Sequence, residues 1–385
     1  MLKSPLETTN SPAHSATEGS VWKVSLILAF FFICGALLLE GSIRLRQYHK
    51  YGTVAGTMYH SHIDTVSGLP VPIPGQNTSH IWINSLGFRS PEIAAQKPQA
   101  TVRLAFLGAS TTFCAEVSSN EATWPYLVWQ TLRRSWPGVN FEFINAGVVG
   151  YTTDSSLLNW QRRVAPLDPD VVVLYEGIND FTKDVRALAE RQGLPTGVVG
   201  PGSFLERHSV AWHLIATTVK LKLRNRETAK PLRFTPADLD GQGFYDRLSR
   251  LVGEVERGGR LVVLPTISIR LREQQSPEEQ RRAAEWGTFY TPFMTPEGLI
   301  MGYSQYNAVI QRVAGEHAAV LAGDEAAIPA DDTHFKDFVH FTDQGCVLMA
   351  QRVVNALRSD VRFQRIIASR RAAVISRDAA KTGKP

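Results

Sequence analysis

Arg103-Leu104-Ala105-Phe106-Leu107-Gly108-Ala109-Ser110-Thr111-Thr112 runs from an apolar segment directly into a turn of small residues. Such a run ending at a glycine reads as a buried strand, and Ser110 then stands just past its carboxyl end. Outward from it, similar runs occupy Val139–Ile144, Asp170–Tyr175, Arg260–Pro265 and Ala318–Ala322. They are near-continuous rather than alternating, the pattern of strands covered on both faces. Between them lie helical stretches. The clearest, from about Asn120 to Ser135, sets Trp124, Leu127, Val128, Thr131 and Leu132 on one face, with Pro125 in its first turn. Alternating strands and helices imply a five-stranded parallel sheet inside a three-layer α/β/α sandwich, here spanning 101–358. Ligands bind such sheets at the carboxyl ends of the strands.

Three further stretches supply chemistry. Asn145-Ala146-Gly147-Val148-Val149-Gly150 follows the second strand, Gly177-Ile178-Asn179-Asp180 follows the third, and Asp337-Phe338-Val339-His340 comes late. A serine hydroxyl is a weak nucleophile until a base takes its proton, and that base is usually a histidine held through its other nitrogen by an acceptor. The spacing of Asp337 and His340 lets one turn orient the imidazole. Asp331-Asp332-Thr333-His334 offers the same spacing six residues earlier. The later pair is preferred because His340-Phe341-Thr342-x-x-Gly345 leads into a helix; His334 is then a solvated or hydrogen-bonded loop residue. Ser110 also fits a helix N-cap, a role compatible with attack because it aims backbone N–H groups at the same point. Gly-x-Ser-x-Gly is incomplete here, which disfavours an ordinary α/β-hydrolase elbow. The crowd of Asp and His lacks a second ligand cluster, which disfavours a metal site.

Together the four blocks resemble those of the SGNH, or GDSL-like, hydrolase family, which contribute Ser, Gly, Asn and His in this order; the likeness covers residues 84–357. The family's usual Asp before the nucleophile is Ala109 here. The resemblance implies catalytic Ser110, Asp337 and His340, and an oxyanion hole made by the backbone N–H groups of Ser110 and Gly150 and the Asn179 amide. A side chain at Gly150 would crowd the acyl pocket. Gly147 competes for the role, and Asn179 also suits a simple turn. No metal or organic cofactor is implied. The expected activity is a serine esterase removing O-acetyl or other short acyl groups, with an acylated envelope glycan or another small ester as substrate. A polysaccharide O-acyltransferase using the same site is the alternative, and a non-catalytic glycan-binding module the second.

The remaining sequence sets the context. The chain has 385 residues and a net charge of +5. Residues 1–20 are Ser/Thr/Pro-rich and read as disordered. Residues 21–43 hold an apolar run broken only by Lys23 before Leu39, roughly 28 Å long as a helix, and read as an uncleaved transmembrane signal-anchor. Lys3 and Lys23 before it are balanced by Arg44, Arg46 and Lys50 after it, so charge does not orient it. Resemblance to anchored family members places the catalytic domain outside the cytoplasmic membrane of a bacterial envelope. Residues 44–100 form a stalk or lead-in that includes the family-like Asn84-x-x-Gly87-Phe88-Arg89. Insertions near 181–230 and 270–301 serve as lids or surface elaboration. The basic tail, 359–385, reads as a solvated end, and without an aromatic-interleaved patch it gives no reason to expect nucleic acid. Cys34 belongs to the apolar run. Cys114 and Cys346, each close in sequence to a proposed catalytic residue, are expected as two unpaired thiols rather than a bridge.

Overall fold

The computed structural model describes residues 15–51, 59–194, 204–224, 238–239 and 241–382. A short antiparallel hairpin, β1 (Ser61–Ile63) and β2 (Pro70–Pro72), precedes the strands β3 (Thr101–Gly108), β4 (Asn140–Asn145), β5 (Val171–Tyr175), β6 (Leu261–Pro265) and β7 (Val320–Ala322). The last five form one parallel sheet in the order β4-β3-β5-β6-β7. Alternate side chains enter two separate cores. Ala105, Leu107, Val172, Leu174, Val262 and Leu264 enter one, while Leu104, Phe106, Val171, Val173, Leu261 and Val263 enter the other. Along β3, β5 and β6 both faces exclude water, so neither half of the strand period favours polar groups, which accounts for their apolar runs, while the edge strands β4 and β7 are partly exposed. Arg103 is the exception. Fully buried at the start of β3, it lies 2.6 Å from Glu142 on β4 and donates to the carbonyls of Ala94 and Leu167. A charge removed from water requires that kind of satisfaction.

Helices cover both faces. The short α2 (Ser110–Phe113) follows β3, and α3 (Trp124–Ser135) packs Trp124, Val128 and Leu132 on the second core. Helix α3 starts later than the periodicity suggests because Thr123 caps it by accepting from the Tyr126 N–H. The first core is covered by α4 (Thr153–Asn159), α5 (Ile178–Arg191), α8 (Gln242–Glu256), α9 (Pro277–Tyr290) and α10 (Pro296–Glu316). Helices α11 (Asp343–Ser359) and α12 (Val361–Thr382) complete the second. The basic tail is therefore helical over most of its length. Phe363 and Ile367, four residues apart, are buried, and Arg370 lies 2.6 Å from Asp170. Arg365 and Arg371 are exposed, whereas Arg370 follows Phe363 and Ile367 on the buried side and is tied down by Asp170; composition alone does not register that difference and suggested a solvated end.

The described residues fall into two compact units, one drawn from 1–56 and 202–217 and the other from the remainder. The smaller holds α1 (Ser15–Tyr51), which is long and apolar enough to cross a membrane. Helix α1 begins at Ser15, ahead of the expected boundary; residues 1–14 lie outside the described residues. The same unit contains α6 (Phe204–His208) and the start of α7 (Val210–Arg224). Glu40, just past the apolar run, accepts from the Val210 and Ala211 N–H groups at 3.0 and 2.9 Å and from the Ser209 hydroxyl at 2.8 Å. Arg44 donates to the His208 carbonyl at 3.0 Å. That part of the first insertion is thus tied to α1; residues 195–203 and 225–230 of the insertion lie outside the described residues.

Candidate active site

In the larger unit the chain leaves β3 for β4 on one side and later enters β5 on the other. The carboxyl end of β3 is therefore a topological switch point, where an open α/β sheet forms its crevice. Gly108 makes the turn there with φ +151°. A Cβ on it would stand 2.3 Å from Thr112 Oγ1 and 2.5 Å from the Tyr175 carbonyl, so no other residue fits. Ala109 occupies the N-cap, and Ser110 is the first helical residue of α2, with no side-chain cap bond to occupy its hydroxyl.

Ser110 Oγ lies 2.8 Å from His340 Nε2, and His340 Nδ1 lies 2.8 Å from Asp337 Oδ2. The other Asp337 oxygen accepts the N–H groups of Val339 and His340, both at 2.9 Å. One turn thus fixes the carboxylate and leaves Oδ2 for the imidazole. Burial by itself would raise the Asp337 carboxyl, but the His340 ring and those backbone donors hold it below the usual carboxylate range. Burial likewise opposes charge on His340. The hydrogen bond that its Nδ1–H donates to Asp337 and the nearby Glu116 charge outweigh it and lift the imidazole to about 9. Glu116 Oε1 is 3.9 Å from Nε2, on the same side as Ser110 Oγ; burial pushes its own carboxyl up, partly countered by His340.

Asn179 is the second residue of α5, placed by Gly177, whose φ of +110° turns the chain out of β5. Its amide donates to the Tyr151 carbonyl at 2.8 Å. Asp180 fixes the same helix start: Oδ2 accepts from the Thr153 N–H and hydroxyl, and Oδ1 takes the Arg247 guanidinium at 2.7 Å. The intervening loop is held by the Val148 N–H on the Gly108 carbonyl at 3.1 Å and by the Asn145 amide on the Thr112 carbonyl at 3.0 Å.

The two glycines of that loop differ. Gly147 donates its N–H to Asn145 Oδ1 at 3.1 Å, and a Cβ there would stand 2.6 Å from the Phe113 nitrogen. It is a close-packing residue with its donor engaged. Gly150 is exposed, its φ is +84°, and an added Cβ would meet nothing within 4 Å. Conformation requires glycine there, and crowding by protein atoms does not. Among the described residues its N–H makes no hydrogen bond.

The rival histidine has the same local geometry, with His334 Nδ1 2.8 Å from Asp331 Oδ1. Among the described residues its ring bonds that turn alone. Its carbonyl accepts the Thr342 N–H at 3.0 Å, next to the start of α11.

Two further groups escaped the sequence reading. Glu116 carries no motif. Arg89, quoted only as part of a lead-in, is buried behind the turn that carries Ser110, donating to the Phe113 and Cys114 carbonyls at 2.9 and 2.5 Å and to Asn120 Oδ1 at 2.8 Å. Burial lowers its guanidinium to about 10. The lead-in therefore braces the turn that carries Ser110. Its signal was the arginine at the end of Asn84-x-x-Gly87-Phe88-Arg89.

A family model described as the GDSL-like Lipase/Acylhydrolase family matches residues 106–347. No curated protein matches the chain. Similar solved structures include Axe2, an acetylxylan esterase from Geobacillus stearothermophilus, with 17% identity over 67% of this chain and 96% of that one, at a TM-score of 0.41. LAE5, an alpha/beta hydrolase enzyme from the metagenome of Lake Arreo, Spain, shows 17% identity over 67% and 96%, with a TM-score of 0.40. The acetyl xylan esterase AlAXEase shows 17% identity over 66% and 99%, with a TM-score of 0.40.

Proposed function

The chain belongs to the GDSL-like lipase/acylhydrolase family and is an ester hydrolase, and on that premise we propose that Ser110 is its nucleophile, with His340 as base and Asp337 as orienting acid. The observation that carries this reading is the unbroken line from Ser110 Oγ through both imidazole nitrogens to Asp337, each link 2.8 Å. His340 takes the hydroxyl proton as Oγ attacks the ester carbonyl. It returns that proton to the leaving alcohol, and water then releases the acyl group by the same route. The Ser110 and Gly150 N–H groups and the second hydrogen of the Asn179 amide receive the oxyanion, the role that such donors play best when fixed before charge develops.

The substrate is a short O-acyl ester of a hydroxyl-rich alcohol, such as an acylated envelope glycan, met outside the cytoplasmic membrane by a domain anchored through α1. Glu116 supports the polar alcohol: a carboxylate beside the reacting atoms can accept from sugar hydroxyls, whereas an alkyl chain laid against it would strip its water without compensation. Incubating the detergent-solubilised full chain with a chromogenic acetyl ester, and separately with a serine-directed phosphonate, tests the reading. Turnover with label on Ser110 is expected; neither turnover nor label would leave a non-catalytic binding module. Adding a glycan acceptor distinguishes hydrolysis from transfer.

A further inference from the structure

The turn after Ser110 and the helix after His340 meet a second time, away from the reacting atoms. Cys114 Sγ and Cys346 Sγ lie 4.0 Å apart, both buried and separated by 232 positions in the chain. Each sits on a fixed frame. Cys114 is the left-handed C-cap of α2, with φ +59° and its carbonyl held by Arg89. Cys346 is in the first turn of α11, its N–H bonded to the carbonyl of the N-cap Thr342 at 2.9 Å. A polar tie joins the same two segments alongside, because Asp343 accepts the Ser118 N–H at 2.9 Å and the Ser118 hydroxyl at 2.5 Å. The frames that present nucleophile and base are thus already clamped at this junction, with the thiols facing each other inside it.

We propose that Cys114 and Cys346 are a cross-linking site: when the larger unit folds on the extracytoplasmic side, they close into a disulfide that locks the Ser110 turn to the His340 segment. Both thiols are free in the structure, and a bond of about 2.05 Å requires the two sulfurs to approach by roughly 2 Å. The oxidant is of the dithiol–disulfide exchange class. One cysteine thiolate attacks the oxidant's disulfide and releases one of its thiols. The second cysteine then displaces the other, so that two protons leave the cysteines, one S–S bond forms in the protein, and the oxidant is reduced to a dithiol by two electrons. Attack needs a thiolate, and burial with the neighbouring thiol pushes Cys346 well above the ordinary thiol value. Closure therefore occurs during folding, before the junction is sealed, and the finished bond is shielded from reductants for the same reason.

The inference rests on the extracytoplasmic placement proposed above, and the test separates the two. Full-length protein is extracted from membranes without reductant, alkylated in denaturant, digested and measured by mass spectrometry; a second sample is refolded in a glutathione redox buffer. The expected result is label on Cys34 alone, with two further labels only after reduction, and a peptide pair joining Cys114 to Cys346 that is lighter by two hydrogens than its reduced parts. Label on all three cysteines in both samples overturns the cross-link. Closure in the glutathione buffer with free thiols in the cell keeps the site and overturns the placement. The readout needs no turnover, so it is independent of whether Ser110 is the nucleophile.

Discussion

Asp331–His334 and Asp337–His340 are two copies of one local device. In each, an aspartate accepts nearby backbone N–H groups and holds the Nδ1 of the histidine three residues on, at 2.8 Å in both. They part at the carboxylate, where Asp331 holds backbone and ring through Oδ1 alone while Asp337 divides them between Oδ1 and Oδ2, and above all at the far side of the ring: Nε2 of His340 meets Ser110 Oγ, whereas the His334 ring bonds its own turn beside α11. A short-range motif can thus orient an imidazole, but it cannot supply the substrate-side partner. That partner arrives from 230 residues away in sequence.

The sharpest way to break the comparison is to remove each ring in turn. His340→Ala or Ser110→Ala is expected to lower kcat for a chromogenic acetyl ester by on the order of 10⁴-fold or more, since members of such a unit fail together. His334→Ala should change kcat by less than about twofold and cost stability only on the scale of one hydrogen bond, about 1 kcal/mol, read from thermal or urea unfolding. Equal losses from both histidines would erase the distinction.

Asp337→Asn comes next. It leaves the turn but inverts the hydrogen-bond preference at Nδ1, and a drop in kcat of about 10²- to 10⁴-fold is expected, while Asp331→Asn should stay near wild type. Asn179→Ala removes one of the proposed oxyanion donors and should lower kcat by about 10²- to 10³-fold with KM little changed, measured by steady-state kinetics.

The mildest effects concern pH. If His340 is the base proposed above it must be neutral to accept the serine proton, and with its pKa raised to about 9, kcat/KM should climb as pH rises from 7, reach half its maximum near 9 and level off about one unit higher. Glu116→Gln removes one of the charges that stabilise the imidazolium. The limb should then move to lower pH by roughly half a unit to one unit, whereas the pH profile of His334→Ala should match wild type. An unmoved limb in Glu116→Gln would show that this carboxylate does not bear on the base.

Much of the sheet was legible from short stretches because its cause is local. A strand dry on both faces must be apolar at nearly every position, so the five runs stand out, and Gly108 marks the turn where the backbone bends away from β3. The same holds for Thr342 and the start of α11, and for the Asp-x-x-His turn, where a carboxylate needs only its own neighbours. The sequence therefore determined the strands, the presence of a helix after His340, and Ser110, Asn179, Asp337 and His340 as candidates.

Tertiary structure decided among alternatives that local chemistry leaves equal. It separated the surroundings of His340 from those of His334, and it assigned Gly147 to close packing against α2 while, among the described residues, the Gly150 N–H has no partner. Helix α12 became part of a core because Phe363 and Ile367 find a buried surface, which a count of basic residues does not register. It also set Glu116 beside the imidazole and Arg89 behind the nucleophile turn. Each of these facts depends on atoms brought together from distant parts of the chain, and such proximity leaves no periodic or compositional trace in the residues themselves.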